Sequence, residues 1–460
     1  MGAGMSELPD GWELISLGTL IELNPKTNDV EDRTEVGFVP MTLLGKSWLD
    51  VPSFELRQWA SVKKGYTHFR DGDVLLAKIT PCFENGKAGL LNGLPNGIGS
   101  GSTEYFVCRT SPHTLDARYL LGYLKTDDFV RTGAMSMTGS VGHKRIPKEY
   151  LLGRQIPLPP RNEQTRIANQ LDTLLTRVQA CNDRFNAIPA LLKRFRQTVL
   201  DAGTTGGLTD DWRDQSAKPL GHVRLREVAS AFSYGSAAKS SKSGDVPVLR
   251  MGNIQSGRLD WSDLVFTSDK KEIEKYKLDK GDVLFNRTNS PELVGKTAVF
   301  QGEREAVYAG YLIRVRCLPE LLPEYLNYCL GSKAGRDYCW SVKSDGVSQS
   351  NINAKKLAAF TFQLPELSEQ IEIVRRVEAL FALADRIEAR FTAARARAQR
   401  LTPLVLAKAF RGELVPQDPN DEPASALLAR IASSNTPVAG KNKQKVPVAR
   451  KKRAQAAINL

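Results

Sequence analysis

The sequence lacks any long apolar run. None of its 460 residues falls in an apolar stretch of about 18 or more, which is the length that a membrane-spanning helix needs. The first residues, MGAGMSELPDGW, have neither the basic nor the apolar region of a signal peptide. We therefore expect a cytoplasmic protein with no membrane partner.

Cysteine and histidine are scarce and scattered. The six cysteines include no CxxC pair, which argues against a zinc site or a disulfide framework. The four histidines are isolated from one another, which argues against a metal site or a Ser/His catalytic arrangement. The sequence predicts no metal site.

Two motifs of nucleotide and methyl-transfer chemistry are also missing. No GxxxxGK[ST] phosphate loop occurs in the sequence. The Asn-Pro-Pro-Tyr-like motif of adenine methyltransferases is absent too, because Asn24-Pro25 continues into Lys26. We expect no catalytic residue in this chain.

The net charge is +13, which favours a polyanionic partner because lysine and arginine release counterions when they neutralise phosphates. More than half of this surplus lies in residues 436–460, which contain seven lysines and arginines and no acidic residue. We interpret this segment as a disordered basic tail. Charge alone fits a tail that keeps the protein soluble equally well.

The chain contains an internal duplication with an offset of 206 residues. In the similar parts Leu158-Pro159, Glu163-Gln164 and Arg184-Phe185 recur as Leu364-Pro365, Glu369-Gln370 and Arg390-Phe391. The remainder corresponds more loosely, as where GDVL at 72–75 recurs at 281–284. Each half is therefore a variable part of about 150 residues followed by a similar part of about 55 residues.

The similar parts predict long amphipathic helices. Apolar residues recur at steps of three and four from Ile167 to Val199 and again from Ile373 to Val405. About 37 residues at 1.5 Å each make a rod of about 55 Å, which is too long for one domain to cover. We expect the two helices to pair, with the alanines of the second facing larger residues of the first. Pro189 and Pro403 predict one interruption in each helix.

The variable parts predict α/β or mainly β domains. A short helix is expected late in each domain, over Ala117–Leu124 and Pro323–Leu330. Runs that predict strands include 36–39, 73–77, 105–109, 283–285 and 311–316.

Polar loops between these strands carry the residue types that read base edges. Such residues are common in solvated turns, so the prediction concerns loops more than single side chains. The first domain offers Lys46, Lys78, Thr80, Asn85, Lys87, Ser102, Thr103, Ser140, His143, Lys144 and Arg145. The second offers Arg250, Asn253, Gln255, Arg287, Thr288, Asn289, Lys296, Ser348, Gln349 and Asn351. Because the two sets differ, we expect a split, asymmetric DNA target.

The sequence resembles the DNA specificity subunits of type I restriction-modification enzymes. The resemblance is carried by the segment 156–212, by its copy 362–391, and by the order of variable domain, helix, variable domain, helix. The variable parts match mainly through GDVLLAKITPCFENGKAGLL (72–91), GSGSTEYFV (99–107) and GDVLFNRT (281–288). The match covers nearly the whole chain up to the tail.

This resemblance implies an α/β (α+β) architecture with an internal pseudo-twofold repeat. Two target recognition domains, at 1–157 and 218–363, would be joined by spacer segments at 158–217 and 364–435 whose helices form an antiparallel coiled coil. The resemblance assigns no counterpart to the basic tail at 436–460.

The resemblance also implies a subunit without catalysis of its own. Each domain would read one half of a target in double-stranded DNA, and the helices would set the spacing and dock two methyltransferase subunits. Motor-nuclease subunits would join them. The chain itself would bind no cofactor, whereas the complex would use AdoMet, ATP and Mg.

Two other functions stay open from the residues alone. One is a stand-alone DNA nuclease or methyltransferase with an unrecognised active site. The other is a scaffold whose loops no longer bind DNA.

Overall fold

The computed structural model describes residues 8–140, 142–213, 221–346 and 349–434. Two compact units are present. The first comprises the described residues up to Cys181 together with those from Ala398 onward, and the second comprises Asn182–Arg397. Ser348 and the expected tail at 436–460 lie outside the described residues. No helix in the described part of the chain is long and apolar enough to cross a membrane.

Short strands and helices alternate along the variable domain of the first unit. In chain order they are β1 (Glu13–Ser16), α1 (Leu17–Leu20), β2 (Ile21–Leu23), β3 (Glu35–Val39), β4 (Glu55–Gln58), α2 (Trp59–Val62), β5 (Thr67–Arg70), β6 (Val74–Ala77), β7 (Ala88–Leu90), β8 (Ile98–Gly101), β9 (Tyr105–Thr110), α3 (Ala117–Leu124), α4 (Asp127–Ser136), α5 (Lys148–Gly153) and β10 (Gln155–Leu158). The predicted helix at 117–124 and the predicted strands are confirmed. The spacer helix α6 follows over Arg161–Thr204.

Two sheets and a helical layer enclose the core of this domain. The strand orders are β2-β9-β6-β7 and β4-β3-β8-β5, with β3 and β8 parallel, while β1 and β10 pair separately. Strand β6 is buried on both faces. Its Leu75 and Ala77 pack between the two sheets, whereas Val74 and Leu76 pack against the cluster that contains α3 and the start of α6. This double burial explains the uninterrupted apolar run in the sequence.

The second variable domain lies in the second unit. Its elements are β11 (Gly221–Arg224), β12 (Ala229–Tyr234), β13 (Val246–Leu249), β14 (Ile254–Gln255), β15 (Arg258–Leu259), β16 (Val265–Thr267), α7 (Lys270–Tyr276), β17 (Val283–Asn286), β18 (Thr288–Asn289), β19 (Thr297–Val299), β20 (Val307–Tyr308), β21 (Leu312–Cys317), α8 (Pro323–Gly331), α9 (Lys333–Val342), β22 (Ser344–Asp345), β23 (Ser350–Asn351), α10 (Ala354–Ala358) and β24 (Thr361–Leu364). The sheet order β12-β21-β17-β19 repeats that of β2-β9-β6-β7. A second sheet, β16-β13-β20, has one antiparallel and one parallel pairing, and so mixes the two directions as the sheet β4-β3-β8-β5 does. The duplication in sequence is therefore a duplication of fold.

The C-terminal helices are α11 (Leu367–Gln399), α12 (Leu401–Ala409) and α13 (Ala424–Ser434). The interruption expected from Pro403 is present, because α11 ends at Gln399 and α12 begins at Leu401. A proline clashes with the carbonyl four residues before it, which here belongs to Gln399. The interruption expected at Pro189 is absent, since α6 continues through it as one helix of 44 residues. Pro189 is exposed, so the carbonyl that it leaves without an N–H partner lies on the solvent side of the helix.

Within the second unit, the end of α6 and α11 pack side by side in antiparallel directions. The Phe185 and Phe391 rings lie 5.9 Å apart, and the Arg196 guanidinium contacts the Asp385 carboxylate at 2.7 Å. Further along α6, Gly203 lies against Ile373 and Val377. Phe185 and Phe391 are equivalent positions of the two repeats, so this pair joins two large residues and not a large one and an alanine.

The repeated Glu-Gln pair anchors each spacer helix to its own variable domain. The Gln164 amide is fully buried, accepts the Asp116 backbone N–H at 2.8 Å and donates to the Pro159 carbonyl at 3.1 Å. The Gln370 amide repeats this with the Leu322 N–H and the Pro365 carbonyl, both at 2.9 Å. Each helix therefore leaves its domain in a fixed direction.

Each glutamate of these pairs accepts at least one hydrogen bond from the segment that follows α6 or α12 in the other spacer. Glu163 accepts from the Trp12 indole at 3.0 Å and from the Gln417 amide at 3.3 Å. Glu369 accepts from the Thr209 hydroxyl and the Arg213 guanidinium, both at 2.7 Å. In each unit, the first turn of one spacer helix is thus hydrogen-bonded to the segment that follows α6 or α12 in the other spacer.

Candidate nucleic-acid interface

The loops that the sequence singles out form the same small ribbon in both domains. In the first domain, Ile79 and Thr138 each bridge to Arg145, and the Thr80 N–H donates to the Lys144 carbonyl at 2.9 Å. In the second, β23 pairs with both β18 and β22. We call this structure the loop ribbon; it consists of 78–80, 138 and 140–145 with residue 141 outside the described chain, and of 287–289, 344–345 and 349–351.

The loop ribbon of the first domain is basic. Lys78 lies with its Nζ 5.3 Å from the centre of the Phe106 ring, and His143, Lys144 and Ser140 are exposed. Arg145 forms two hydrogen bonds with the Glu104 carboxylate, at 2.7 and 2.8 Å. These bonds lower the pKa of Glu104, so the pair stays ionised near neutral pH.

The loop ribbon of the second domain is richer in amides and hydroxyls. The Asn351 Nδ2 donates to the Thr288 hydroxyl at 2.8 Å, and Asn289 accepts the Ser290 backbone N–H at 2.8 Å. Gln349 is exposed. The Arg287 guanidinium lies 4.7 Å from the centre of the Tyr234 ring. The two ribbons therefore share a backbone arrangement and differ in chemistry.

A second group of predicted residues gathers beside the spacer helices. In the first domain, Lys125 Nζ donates to the Lys46 and Gly86 carbonyls at 2.8 and 3.1 Å, and Lys87 Nζ donates to the Met41 carbonyl at 2.6 Å. These contacts place Lys46, Asn85 and Lys87 together. Burial lowers the pKa of Lys125 to about 8. The neighbouring Trp48 indole donates to Asp172 of α6 at 2.8 Å.

The equivalent group of the second domain contains Gln255 and Lys296, which are joined by a hydrogen bond of 3.2 Å. Burial lowers the pKa of Lys296. Arg250 pairs with Asp263 at 3.1 Å. Asn253 is buried, and its amide donates to the Asp260 and Asp263 backbone carbonyls, both at 2.9 Å. This amide therefore stabilises the turn in which it lies.

Ser102 and Thr103 occupy the turn before β9. The Ser102 hydroxyl accepts the Glu104 backbone N–H at 3.2 Å, and Thr103 is exposed. Because Glu104 binds Arg145, this turn adjoins the loop ribbon. Among the described residues, no three His, Cys, Asp or Glu side chains come together as a metal site.

Sequence reasoning missed two residues that shape these ribbons. Glu104 follows the predicted Ser102-Thr103 turn directly, so its position beside Arg145 required the fold. Tyr234 ends β12, where an aromatic residue in a strand ordinarily predicts core packing. Nothing in the sequence around Glu104 or Tyr234 indicates that either residue lies beside a loop ribbon.

The repeated GDVL motif is structural. Gly72 and Gly281 have φ values of 86° and 92°, which favour glycine. The buried Asp73 and Asp282 each accept a backbone N–H within their own turn, at 2.7 and 2.9 Å. Each aspartate also pairs with an arginine of the neighbouring strand. These carboxylates therefore stabilise the turn that enters the central strand.

The sequence matches the family described as the type I restriction modification DNA specificity domain over residues 9–190 and 220–393. The chain belongs to this family. It is the DNA specificity subunit of a type I restriction-modification system, a component that is itself non-catalytic. The stand-alone nuclease or methyltransferase is set aside on this ground.

Named relatives cover most of the chain. The specificity subunit of the EcoDI type I restriction enzyme of Escherichia coli is 31% identical over 485 residues, which span 96% of this chain and 98% of that subunit. The EcoEI specificity subunit of Escherichia coli is 28% identical over 478 residues, or 84% of this chain and 80% of that subunit. The crystal structure of the HsdS subunit from Thermoanaerobacter tengcongensis has the same fold, with a TM-score of 0.61 at 20% identity over 89% of this chain and 99% of that one.

Proposed function

We propose that each variable domain of this specificity subunit reads one half of a split, asymmetric DNA target through its loop ribbon. The observation that carries the proposal is that one backbone arrangement occurs twice with different side chains. Phosphate contacts and base contacts both need groups that reach outward from a rigid support. In each domain that support is the central sheet, from which β6 or β17 leads directly into the ribbon.

The chemistry of the two ribbons supports two unlike half-sites. The first presents the cations Lys78 and Lys144, whereas the second combines the cation Arg287 with amides such as Gln349 and Asn351. Lysine and arginine pair with guanine acceptors, and asparagine and glutamine pair with the N6 and N7 groups of adenine. Half-sites of different sequence follow from this difference.

The spacer helices supply the surface for partner subunits in this proposal. Five large apolar side chains of the helical pair are exposed in the second unit: Leu191 is 61% exposed, Ile371 56%, Ile387 43%, and Leu367 and Leu383 41% each. Exposed apolar groups on paired helices favour a protein partner over solvent. We assign this surface to the methyltransferase subunits, two of which would dock on one specificity subunit.

The rest of the reaction would belong to the assembled complex. Methylating an adenine requires flipping it out of the duplex, and a pocket on a separate subunit can do this at any target that the specificity subunit selects. In this proposal AdoMet serves the methyltransferase subunits, and ATP and Mg serve the motor-nuclease subunits. The complex would act in the cytoplasm, where the host DNA lies.

Methylation by the reconstituted complex tests the reading role. The chain would be combined with its methyltransferase subunits, and modified adenines would be mapped on a genome-scale DNA substrate. The double variant Thr80→Ala, Lys144→Ala is expected to relax or weaken recognition in one half of the target. Lys64→Ala is the matched control, because Lys64 is an exposed lysine of the same domain outside the ribbon. Identical recognition by the double variant and the parent would refute the proposal.

The docking role has its own test. Ile387→Ala removes an exposed apolar group, so the isolated subunit should keep its stability while its affinity for the methyltransferase subunits falls. Ile373→Ala is the contrasting variant, because Ile373 is fully buried on the same helix. It should destabilise the isolated subunit by about 2–5 kcal/mol. Unchanged assembly by Ile387→Ala would remove this residue from the docking surface.

A further inference from the structure

Arg287 differs from the other arginines of the second unit in its pairing. The half-buried arginines there are Arg196, Arg213, Arg250, Arg287, Arg314, Arg316 and Arg376. Six of them form ion pairs with aspartate or glutamate. Among the described residues of this unit, Arg287 is the half-buried arginine without such a partner. Its charge is therefore not neutralised by a neighbouring carboxylate.

The guanidinium of Arg287 is oriented but weakly bound. It donates to the Gly310 carbonyl and to Asn351 Oδ1, both at 3.3 Å, beyond the usual range of such bonds. Its Nε has no hydrogen-bond partner among the described residues. A nucleic acid that offers two good acceptors would replace these contacts at little cost.

Hydrogen bonds fix the backbone of Arg287 and the ring beneath its guanidinium. Its backbone N–H donates to the Tyr311 carbonyl at 3.0 Å, and its carbonyl accepts the Ile352 N–H at 2.9 Å. The Tyr234 ring beneath the guanidinium is held by its hydroxyl, which accepts the Ala354 N–H at 2.9 Å. An arginine stacked on a fixed ring loses less side-chain freedom when it binds a ligand.

The first domain places a cation at the equivalent position. Lys78 directly follows β6 as Arg287 directly follows β17, and each lies over an aromatic ring. The rings come from different strands, β9 in the first domain and β12 in the second. The position after the central strand is thus cationic in both readers, although lysine is a point charge and arginine a planar fork.

From these observations we propose that Arg287 reads a guanine in the half-site of the second domain, through paired hydrogen bonds to O6 and N7 in the major groove. This inference rests on the proposed reading role of the loop ribbon and names its chief specificity residue. A planar fork of two N–H donors matches the two guanine acceptors, and this pairing is the commonest specific contact between protein and DNA.

The test uses the reconstituted methyltransferase complex and duplexes that carry its mapped target. Each position of the target would be replaced by each other base, and methylation rates would be measured for the parent, Arg287→Ala and Arg287→Lys. In the parent, one G·C pair of one half-site should be discriminated roughly 10- to 100-fold against other pairs. Arg287→Ala should abolish discrimination at that pair alone, and Arg287→Lys should retain part of it.

Arg304→Ala is the matched control. The Arg304 guanidinium also lies over an aromatic ring, 4.8 Å from the centre of Trp261, but it is exposed and outside the loop ribbon. It should leave every position of the target unchanged. Melting temperatures of all variants would separate misfolding from altered reading, with Arg287→Lys as the reading test if Arg287→Ala does not fold.

Three outcomes overturn the inference. Arg287 is not a base reader if neither variant relaxes any position, or if both variants weaken all targets equally, as loss of a phosphate contact would. A relaxed pair other than G·C would refute the choice of base. In each case the loop ribbon could still read DNA through other residues, whereas failure of the Thr80→Ala, Lys144→Ala experiment would refute the reading role itself.

Discussion

The Glu-Gln pairs, which recur without change in the two halves, attach each spacer helix to its variable domain. The Glu-Gln pairs of the spacer helices were visible in sequence as a repeat, but their function as anchors required the structure. Each glutamine satisfies backbone groups that come from separate loops, and no sequence pattern reveals which loops approach a helix. For the loop ribbons the opposite holds. Their residue types predicted DNA contacts from the sequence, whereas the pairing of the loops into a ribbon was found only in the structure.

Gln370 should be one of the most sensitive positions for stability. Gln370→Ala removes an amide that is fully buried and leaves the Leu322 N–H and two carbonyls without partners. We expect the free energy of unfolding to fall by roughly 2–3 kcal/mol. Gln399→Ala, at an exposed position of the same helix, should change it by less than about 0.5 kcal/mol. Urea denaturation measures both, and equal stabilities would contradict the anchoring role.

The hydrogen-bonded pair of Glu104 and Arg145 makes the stability of the folded chain depend on pH. Its folded-state pKa lies below the ordinary value of 4.5 because it accepts hydrogen bonds from Arg145. The pair therefore stabilises the folded chain above about pH 4.5, and this contribution disappears as the pH falls through the lowered pKa. Glu104→Gln should lower the melting temperature at pH 7, and its difference from the parent should shrink below pH 4.5. A difference that does not vary with pH would exclude the ion pair as its cause.

At the level of elements, hydrophobic periodicity in the sequence predicted the spacer helices, and uninterrupted apolar runs predicted the central strands. The apolar runs at 73–77 and 283–285 became β6 and β17 because both faces of each strand are covered. The partition of the helices between two compact units was not predictable, since the contacts of 398–434 with the first domain join residues far apart in sequence. The effect of proline was predictable at Pro403 and not at Pro189, because proline in a helix interior kinks or breaks the helix according to its surroundings.

Replacing Pro189 should strengthen α6. Proline within a helix costs about 3 kcal/mol relative to alanine, and its restriction of the unfolded chain offsets up to about 1 kcal/mol. Pro189→Ala is therefore expected to raise the free energy of unfolding by roughly 2 kcal/mol. Pro403→Ala is the control, because Pro403 occupies the first turn of α12, where an N–H has no helical partner. An equal gain in the free energy of unfolding from both variants would show that the effect of proline does not depend on its position in the helix.

At the scale of the whole molecule, duplication gives one chain two variable domains that share a fold and differ in the side chains of their loop ribbons. The structural positions repeat: the glutamine anchors, the aspartate turns and the ribbon pairings all have counterparts. The outward-facing residues do not repeat. Under the proposed function, this separation would allow one domain to change its half of the target without disturbing the segments that the two halves have in common.

Exchange of one domain tests that independence. A chimera in which residues 1–157 are replaced by the corresponding domain of the EcoDI relative should methylate a target with one half altered and the other half unchanged. The first core also includes Leu406, Ala409 and Leu427, so a second chimera should carry the donor's counterpart of 398–434 as well. The second chimera is expected to fold more stably, because its core pairs surfaces from one protein. Mapping of methylated adenines for the parent and both chimeras measures the result, and alteration of both halves would rule out independent readers.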